Sequence, residues 1–273
     1  MAAVLGTNMA SIFASKNLQT AQSNMATSVE RLSSGLRINR GRDDAAGLAI
    51  ANSLTQQING ANQGIKNLND GVSIVQVADA ALATVTEMAQ RLVVIGTQAA
   101  SGLLSADQYA SLKLEADGLL TAMDNIVTRT KFSDTALFGI TADIKIGSSN
   151  VDTDTITIDK TLALKDFTDG APAISTWADT DDGQALADDA NDFLVDISEQ
   201  RAALGSLQNQ LEFSISNVTD LSSNLAAARS RVIDTDYASE TATLTKGQIL
   251  QQAATAMLAQ ANQMPNVILS LLK

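Results

Sequence analysis

The acidic side chains in the middle of the chain are the residues whose types and spacing could do chemistry. Asp152, Asp154 and Asp159 lie close together, and carboxylates at short intervals can bind a divalent cation. A calcium loop also needs a glycine at its turn and a glutamate at its end, and this segment lacks both at the required spacing. The sequence therefore favours a solvated acidic surface over a metal site.

Histidine and cysteine are absent from all 273 residues. Their absence excludes histidine acid/base catalysis, thiolate catalysis and zinc sites built from these ligands. The remaining Asp, Glu, Lys, Ser and Tyr residues form no recognisable catalytic constellation. We therefore expect a protein that is not an enzyme and needs no cofactor or metal. With a net charge of −12, we also expect no nucleic-acid partner.

The negative charge is concentrated in one segment of the chain. Residues 133–196 contain fourteen Asp, no Glu and three Lys, a local charge of −11, whereas residues 1–42 carry a local charge of +4. Apolar and polar residues alternate within this segment, as in Thr155-Ile156-Thr157-Ile158, which is typical of a strand. We expect residues 133–183 to form a short acidic β-hairpin and loop region that faces outward.

The rest of the chain is predicted to form long helices. Hydrophobic residues make up 45% of the sequence and aromatic residues only 3%, and there are only two prolines, a composition that favours a mainly α fold. Apolar residues recur every three or four positions over residues 58–92, 112–126 and 186–225. Ser105 followed by Gln108 predicts a capping box that opens the middle helix of the three.

Both ends of the chain carry a narrow apolar stripe that could form a coiled-coil seam. Towards the C-terminal end two ladders of period seven are offset by four residues, which is the a/d pattern of a coiled coil. A narrow stripe stabilises an isolated helix only marginally, so we expect the ends to pair as antiparallel helices and to polymerise through these seams. The predicted polymer-interface residues are Ile12, Leu18, Met25, Val29, Leu32, Leu36, Leu250, Ala254, Met257, Ala261, Met264, Ile268 and Leu271.

The predicted organisation nests one helical domain inside another. Residues 1–42 and 230–273 would form a terminal inner-core domain with a connector marked by glycines, and residues 43–132 and 184–229 an outer-core domain. The sequence contains no run of about 18 apolar residues, so we expect no stable membrane insertion. The first residues do not resemble a cleaved signal peptide. On these patterns alone an ordinary helical bundle, a coiled-coil dimer, a tip or hook protein of a secretion apparatus and a membrane-inserting translocator remain open.

Several motifs at the two ends of the chain resemble those of bacterial flagellins. They occur in the family's order and cover about residues 1–105 and 197–273. The motifs are ERLSSGLRIN at 30–39, DDAAG at 43–47, NDGVS at 69–73, QRAALG at 200–205, AARSRVIDTDY at 227–237, QILQQAA at 248–254 and ANQMP at 261–265. The middle of the chain is short, so the resemblance is to a short flagellin with a minimal variable region.

The resemblance implies a structural subunit that self-assembles into the extracellular flagellar filament used for swimming. It also implies export through the flagellar type III apparatus, and a filament cap, junction proteins and an export chaperone as partners. A hook-filament junction protein or a minor filament protein is the alternative within the same class. A type III translocator is the alternative from a different class.

The resemblance also points to a surface that an innate immune receptor recognises in some flagellins. Arg91, Ile95 and Glu115 lie at the matching positions of this sequence. Val93 and Val94, however, stand where the recognised members carry Arg and Glu, and this departure argues against receptor activation.

Overall fold

The computed structural model describes residues 8–138, 142–145, 155–158 and 180–271. Five long helices dominate these residues, which confirms the predicted mainly α fold class. The elements in chain order are α1 (Met9–Ser34), α2 (Ala45–Ala99), α3 (Ala106–Arg129), β1 (Lys131–Phe132), β2 (Thr135–Ala136), β3 (Ala142–Lys145), β4 (Thr155–Ile158), α4 (Thr180–Ile233) and α5 (Tyr237–Leu271).

The chain divides into two units, each with contacts of its own. The terminal unit comprises Met1–Thr55 and Leu225–Lys273, and the central unit comprises Gln56–Asn224. Both units therefore combine residues from the two halves of the chain, as the nested plan requires. The domain limits predicted from the sequence remain a prediction.

The core of the central unit runs along α2, α3 and α4. Helices α2 and α4 are antiparallel, because Asn62 accepts a hydrogen bond from Ser222 (3.0 Å) and Asp79 accepts one from Arg201 (2.8 Å). The apolar stripes predicted for these helices form this core. Its most deeply buried members include Leu68, Val75, Leu82, Val85, Ala89, Leu92, Ile95, Ala116, Met123, Leu186, Ile197, Leu204 and Leu211.

Two glycines bring the backbones of α2 and α4 into direct contact. A Cβ atom on Gly96 would lie 2.7 Å from the backbone nitrogen of Ala187 and 2.8 Å from the carbonyl oxygen of Gly183. A Cβ atom on Gly183 would lie 2.7 Å from the Cβ of Ala99. Such spacing is too short for a side chain, so glycine is the residue that permits this approach.

Two short antiparallel hairpins follow α3. Strands β1 and β2 pair next to a turn in which Ser133 (φ 49°) and Asp134 (φ 65°) adopt left-handed conformations. Strands β3 and β4 pair in register from Ala142 opposite Ile158 to Lys145 opposite Thr155, which confirms the predicted β-hairpin. Helix α4 begins at Thr180.

The helix surfaces are rich in hydroxyl groups that bond to the backbone of their own helix. In many places a Ser or Thr hydroxyl donates to the carbonyl oxygen four residues earlier. Examples are Thr20 in α1, Ser73 and Thr97 in α2, Ser198, Ser214 and Thr219 in α4, and Thr241, Thr243 and Thr245 in α5. Uncharged groups therefore cover much of the helix surface in the described part of the chain.

One helix is apolar enough to cross a membrane when length and composition are the only criteria. An 18-residue window of α2 has a mean hydropathy of 1.3, and 28% of that window is buried. The expected lack of stable membrane insertion stays a prediction, because it rested on uninterrupted apolar runs, which a mean hydropathy does not measure. The high value has a simple physical origin: α2 is rich in alanine, and its Ala78, Leu82, Val85 and Ala89 form one side of the central core.

Candidate assembly surface on the terminal helices

The terminal unit is built on the antiparallel pairing of α1 and α5. At one end the Asn8 side chain accepts from the Ser11 N–H and caps α1, while its Nδ2 donates to the Ala261 carbonyl (2.7 Å). At the other end Arg31 lies 3.6 Å from Glu240. The helices are therefore in register along almost the whole of α1, as the sequence predicted for the two ends of the chain.

Small residues line the seam between these two helices. Two ladders of period seven are buried there: Ala14, Ala21 and Ser28 in α1, and Gly247, Ala254 and Ala261 in α5. Half-buried side chains flank them: Leu18, Met25 and Leu32 in α1, and Leu244, Gln251 and Leu258 in α5. Because the ladder residues are small, the helices can approach closely, with the larger side chains packing at the sides.

The predicted interface residues whose side chains the structure describes are either covered within the subunit or exposed. Leu18, Met25, Leu32, Ala254 and Ala261 lie on the seam within the subunit, and Leu36 is half-buried in the connector. Ile12, Val29, Leu250 and Met257 are exposed instead, with fractional exposures of 53%, 51%, 49% and 65%. The side chains of Met264, Ile268 and Leu271 lie outside the described residues.

The position of Leu250 and Met257 corrects the predicted seam. Both were expected to pair with the Ala254 ladder against α1, but Gln251 and Leu258 take that place on the other flank of the same ladder. At about 100° per residue, the neighbouring side chains of Met257 and Leu258 point about 100° apart, on opposite flanks of the Ala254 ladder, and only Leu258 is half-buried. The subunit therefore uses one flank internally and leaves the other exposed.

The exposed flank forms a groove along α1 and α5. It has a volume of about 610 Å³ and is mainly apolar. Phe13, which is 59% exposed, stands on the α1 side, opposite Leu250 and Met257. The full lining is Ala10, Phe13, Ala14, Asn17, Thr20, Ala21, Asn24, Leu250, Ala253, Ala254 and Met257.

Phe13, Met9 and Ile249 are among the large apolar side chains of this unit that are exposed and were not predicted from the sequence. Phe13 lines the groove, while Met9 (53% exposed) and Ile249 (60% exposed) do not. All three lie off the heptad positions, so the seven-residue repeat could not reveal them. The signal that could have done so is the width of the apolar arc, which exceeds the seam of a two-helix contact.

A short connector links α1 to α2 beside the break between α4 and α5. Gly35 ends α1 with a left-handed conformation (φ 72°), and its N–H donates to the Arg31 carbonyl. Leu36 then pairs with Asp234 in an isolated antiparallel bridge, and the Thr235 N–H donates to the Gly35 carbonyl (2.9 Å). The glycine-marked connector predicted between the first two helices thus lies within residues 35–44.

Asp43 organises the rest of this connector. Its Oδ2 accepts the backbone N–H groups of Asn39 (3.2 Å) and Arg40 (3.0 Å). Desolvation acts to raise the pKa of Asp43, but these two hydrogen bonds lower it. The charges of Arg42 and Arg31 lower it further, and the resulting pKa lies below the ordinary value of 3.8. The carboxylate is thus favoured in the folded state.

We expect the connector to loosen only in strong acid. A depressed pKa adds stability that is complete above the ordinary value of 3.8 and is lost as the pH falls through the lowered pKa. An NMR titration of the Asp43 carboxyl carbon should therefore give a midpoint below 3.8, with the Asn39 and Arg40 amide shifts following it. The Asp43→Asn variant should lose this step at both amides. A midpoint at or above 3.8 would contradict the assignment.

The residues of the predicted receptor patch lie in the central unit. Arg91 and Glu115 form an ion pair of 2.7 Å between α2 and α3, and both side chains are almost half exposed. Ile95 has no exposed surface and belongs to the core. The ion pair remains a predicted receptor contact, whereas Ile95 in this conformation contributes only to packing.

No cluster of three or more acidic side chains suited to a metal ion occurs in the part of the chain that the structure describes. The acidic residues considered for a cation site, Asp152, Asp154 and Asp159, lie outside the described residues. The groove between α1 and α5 is therefore the site whose geometry is best defined.

Two family models together match most of the chain. The model for the bacterial flagellin N-terminal helical region matches residues 5–142, and the model for the bacterial flagellin C-terminal helical region matches residues 187–272. The second match includes α5 and all the groove residues that it provides.

Similar proteins match over their whole length. The flagellar filament 33 kDa core protein of Treponema phagedenis is 35% identical, covering 99% of this chain and 100% of that protein. The flagellin of Halalkalibacterium halodurans is also 35% identical, again covering 99% of this chain and all of its own length. The crystal structure of Bacillus cereus flagellin is 28% identical with a TM-score of 0.45, covering 60% of this chain and 94% of that chain.

Proposed function

The chain belongs to the bacterial flagellin family and is a structural subunit of the flagellar filament, and we propose that it joins the filament through the groove between α1 and α5. A second copy of the same chain would occupy this groove.

The observation that carries the proposal is the surplus apolar arc on the terminal helices. Phe13, Leu250 and Met257 would each be covered on assembly, and a large apolar side chain gains roughly 1.5–3 kcal/mol on full burial. Outside the groove, Ile12, Val29 and Ile249 are also exposed and are absent from its lining. Apolar side chains that are exposed both inside and outside the groove suit a head-to-tail contact, the type that generates open helical polymers.

The proposed interface therefore has two parts. The groove of one copy binds the exposed apolar side chains that lie outside the groove of the next copy. Leu18, Met25, Leu32, Ala254 and Ala261 act within the subunit and hold the groove in shape, while Leu36 belongs to the connector. Met264, Ile268 and Leu271 extend the predicted stripe of α5 and are assigned to the same interface by their heptad positions.

We also propose that the subunit is not an enzyme, that it has specific partners in export and assembly, and that its acidic region faces outward. The subunit has no catalytic role, since a chain without His and Cys relies on Asp, Glu, Lys, Ser and Tyr alone. A filament cap, junction proteins and an export chaperone act on it, and it is exported through the flagellar type III apparatus. The acidic region at residues 133–183 faces outward from the filament, beyond the two helical domains predicted at 1–42 with 230–273 and at 43–132 with 184–229.

The test is to place charge in the groove and measure polymerisation. In the double variant Leu250→Lys/Met257→Lys, two unpaired charges would have to be buried, which costs several kcal/mol. Since each 1.4 kcal/mol changes an equilibrium constant about tenfold, we expect the critical concentration to rise by about a hundredfold or more. Salt-induced assembly followed by sedimentation and electron microscopy measures this directly.

The matched control is Gln248→Lys/Gln252→Lys, which adds the same two charges to α5 at exposed positions outside the groove. We expect it to polymerise near the wild-type critical concentration. Circular dichroism of the free subunits should show that both variants keep their helices. Normal filaments from the double variant would refute the groove as the contact.

A further inference from the structure

We infer that Met257 is a site of reversible oxidation, and that its sulfoxide blocks addition of the subunit to a filament. This inference rests on the proposed role of the groove. The ligand class is a hydroperoxide, with hydrogen peroxide as the simplest member.

Methionine carries all the easily oxidised sulfur in this protein. The chain has seven Met residues and no Cys, so a peroxide finds no thiol to react with first. Susceptibility to oxidation follows exposure, and the methionines differ widely in exposure. Met257 is 65% exposed, the most of those whose side chains the structure describes, followed by Met9 at 53%, whereas Met123 is fully buried.

The position of Met257 distinguishes it from Met9. The Met257 side chain lines the groove together with Leu250 and Phe13, whereas Met9 is not part of the lining. Sulfur oxidation at Met257 would therefore place a strong hydrogen-bond acceptor in the surface that the next copy must cover. Neighbouring lining residues on α5 are apolar, since Ala253, Ala254 and Leu250 carry no donor in their side chains, and the donors of the lining, Asn17, Thr20 and Asn24, belong to α1.

The chemical step is a two-electron oxygen transfer. The Met257 sulfur attacks one peroxide oxygen, the O–O bond breaks and an S–O bond forms. The thioether is oxidised to a sulfoxide, and hydrogen peroxide is reduced to water. Methionine sulfoxide reductases reverse this change, so the modification can act as a switch.

The consequence for assembly follows from desolvation. An acceptor that loses its water on assembly without gaining a donor carries the full desolvation penalty of that group. We expect the critical concentration of subunits oxidised at Met257 to rise on the order of tenfold, the change that such a buried oxygen brings. In assembled filaments the covered sulfur should react at least about tenfold more slowly than in the free subunit.

The experiment compares wild type with Met257→Leu and Met9→Leu. Each protein is treated with limiting hydrogen peroxide as free subunit, mapped by peptide mass spectrometry, and assayed for critical concentration by sedimentation. Met257→Leu alters a groove residue, so its own critical concentration before treatment is its reference, and this value should not change after treatment because leucine has no sulfur to oxidise. Wild type and Met9→Leu should both lose assembly after treatment, and sulfoxide reductase should restore it. Met123 serves as the internal reference, because its burial should keep its oxidation slow throughout.

Three results would overturn the inference. One is normal assembly of wild type with Met257 fully converted to sulfoxide. Another is equal loss of assembly in Met257→Leu subunits in which Met264, assigned to the same interface, is not oxidised. The third is equal oxidation of Met257 in free subunits and filaments. The Leu250→Lys/Met257→Lys variant distinguishes this failure from that of the groove itself: if the variant does not polymerise, the groove is the contact even when oxidation has no effect.

Discussion

Removing residues 250–273 is expected to abolish filament formation while the central unit stays folded. The deletion takes away the groove residues Leu250 and Met257 together with the seam residues Ala254, Leu258 and Ala261. The N-terminal half of α1 then has no helix to pack against, and a short unpaired helix is only marginally stable in water. No filaments should appear by electron microscopy after salt-induced assembly.

The central unit provides the control for this deletion. Its core is formed by residues of α2, α3 and α4 between Ala61 and Val218, none of which is removed. Protease digestion should therefore cut the shortened chain near its ends and spare a fragment close to residues 56–224, as in the full chain. Long filaments from the shortened chain would show that the terminal seam is not required. Loss of the protected fragment would show that the two units do not fold separately.

Replacing Gly96 by alanine is expected to lower the free energy of unfolding of the central unit by about 1–3 kcal/mol, the usual cost of overpacking. The new Cβ would lie 2.7 Å from the Ala187 nitrogen and 2.8 Å from the Gly183 oxygen. Both are backbone atoms, so a rotamer change cannot relieve the contact and the two helices must separate. Denaturant unfolding of the free subunit, followed by circular dichroism, measures the change.

The same substitution at Gly205 is the matched control, with the opposite expected sign. Gly205 also lies within a long helix, but a Cβ atom there would meet nothing within 4 Å. Alanine is favoured over glycine in a helix by about 1 kcal/mol, so Gly205→Ala should stabilise the subunit. Gly118 in α3 is equally open and should respond in the same way. A stabilising effect of Gly96→Ala would show that the close helix contact does not form.

The helices and their pairing could be predicted because each depends on a local pattern. The three-and-four spacing from Ile58 to Leu92 fixes which side of α2 is buried, whatever its partner. The Ser105–Gln108 capping box, formed by hydrogen bonds between residues three apart, was also predictable, and both of its hydrogen bonds are present. The fold class and the function of a filament subunit followed from patterns of this kind together with the resemblance of the terminal motifs.

The seam could be predicted only in part, because either of the two sets of residues that flank the Ala254 ladder could face α1. Ala254 and Ala261 could pair with Leu250 and Met257 on one flank or with Gln251 and Leu258 on the other. Hydrophobicity favours the first choice, but the structure adopts the second. The small seam residues of α1 were not predicted from the sequence either. Ser28, for example, is polar, and a polar residue is not expected on an apolar seam. It is nevertheless only 1% exposed there.

The contact between Gly96 and Gly183 could not be predicted, because it depends on two backbones far apart in the chain. Glycine within a helical pattern indicates either a weak point or a close approach, and only the tertiary structure decides between them. Gly205 illustrates the first case and Gly96 the second. The groove could not be predicted from the heptad repeat either, because Phe13 lines a groove only when the fold places it opposite Leu250 and Met257.

The hydroxyl-rich helix surfaces have a consequence for the medium in which the protein works. Dissolved ions weaken interactions between surface charges, most of all beyond about 10 Å at 0.1 M salt, but leave short hydrogen bonds to neighbouring carbonyls almost untouched. The structure contains six ion pairs among its described residues, and Ser and Thr hydroxyls supply many more local bonds. The helices of a flagellar filament made from such subunits would therefore stay equally stiff from fresh water to brine.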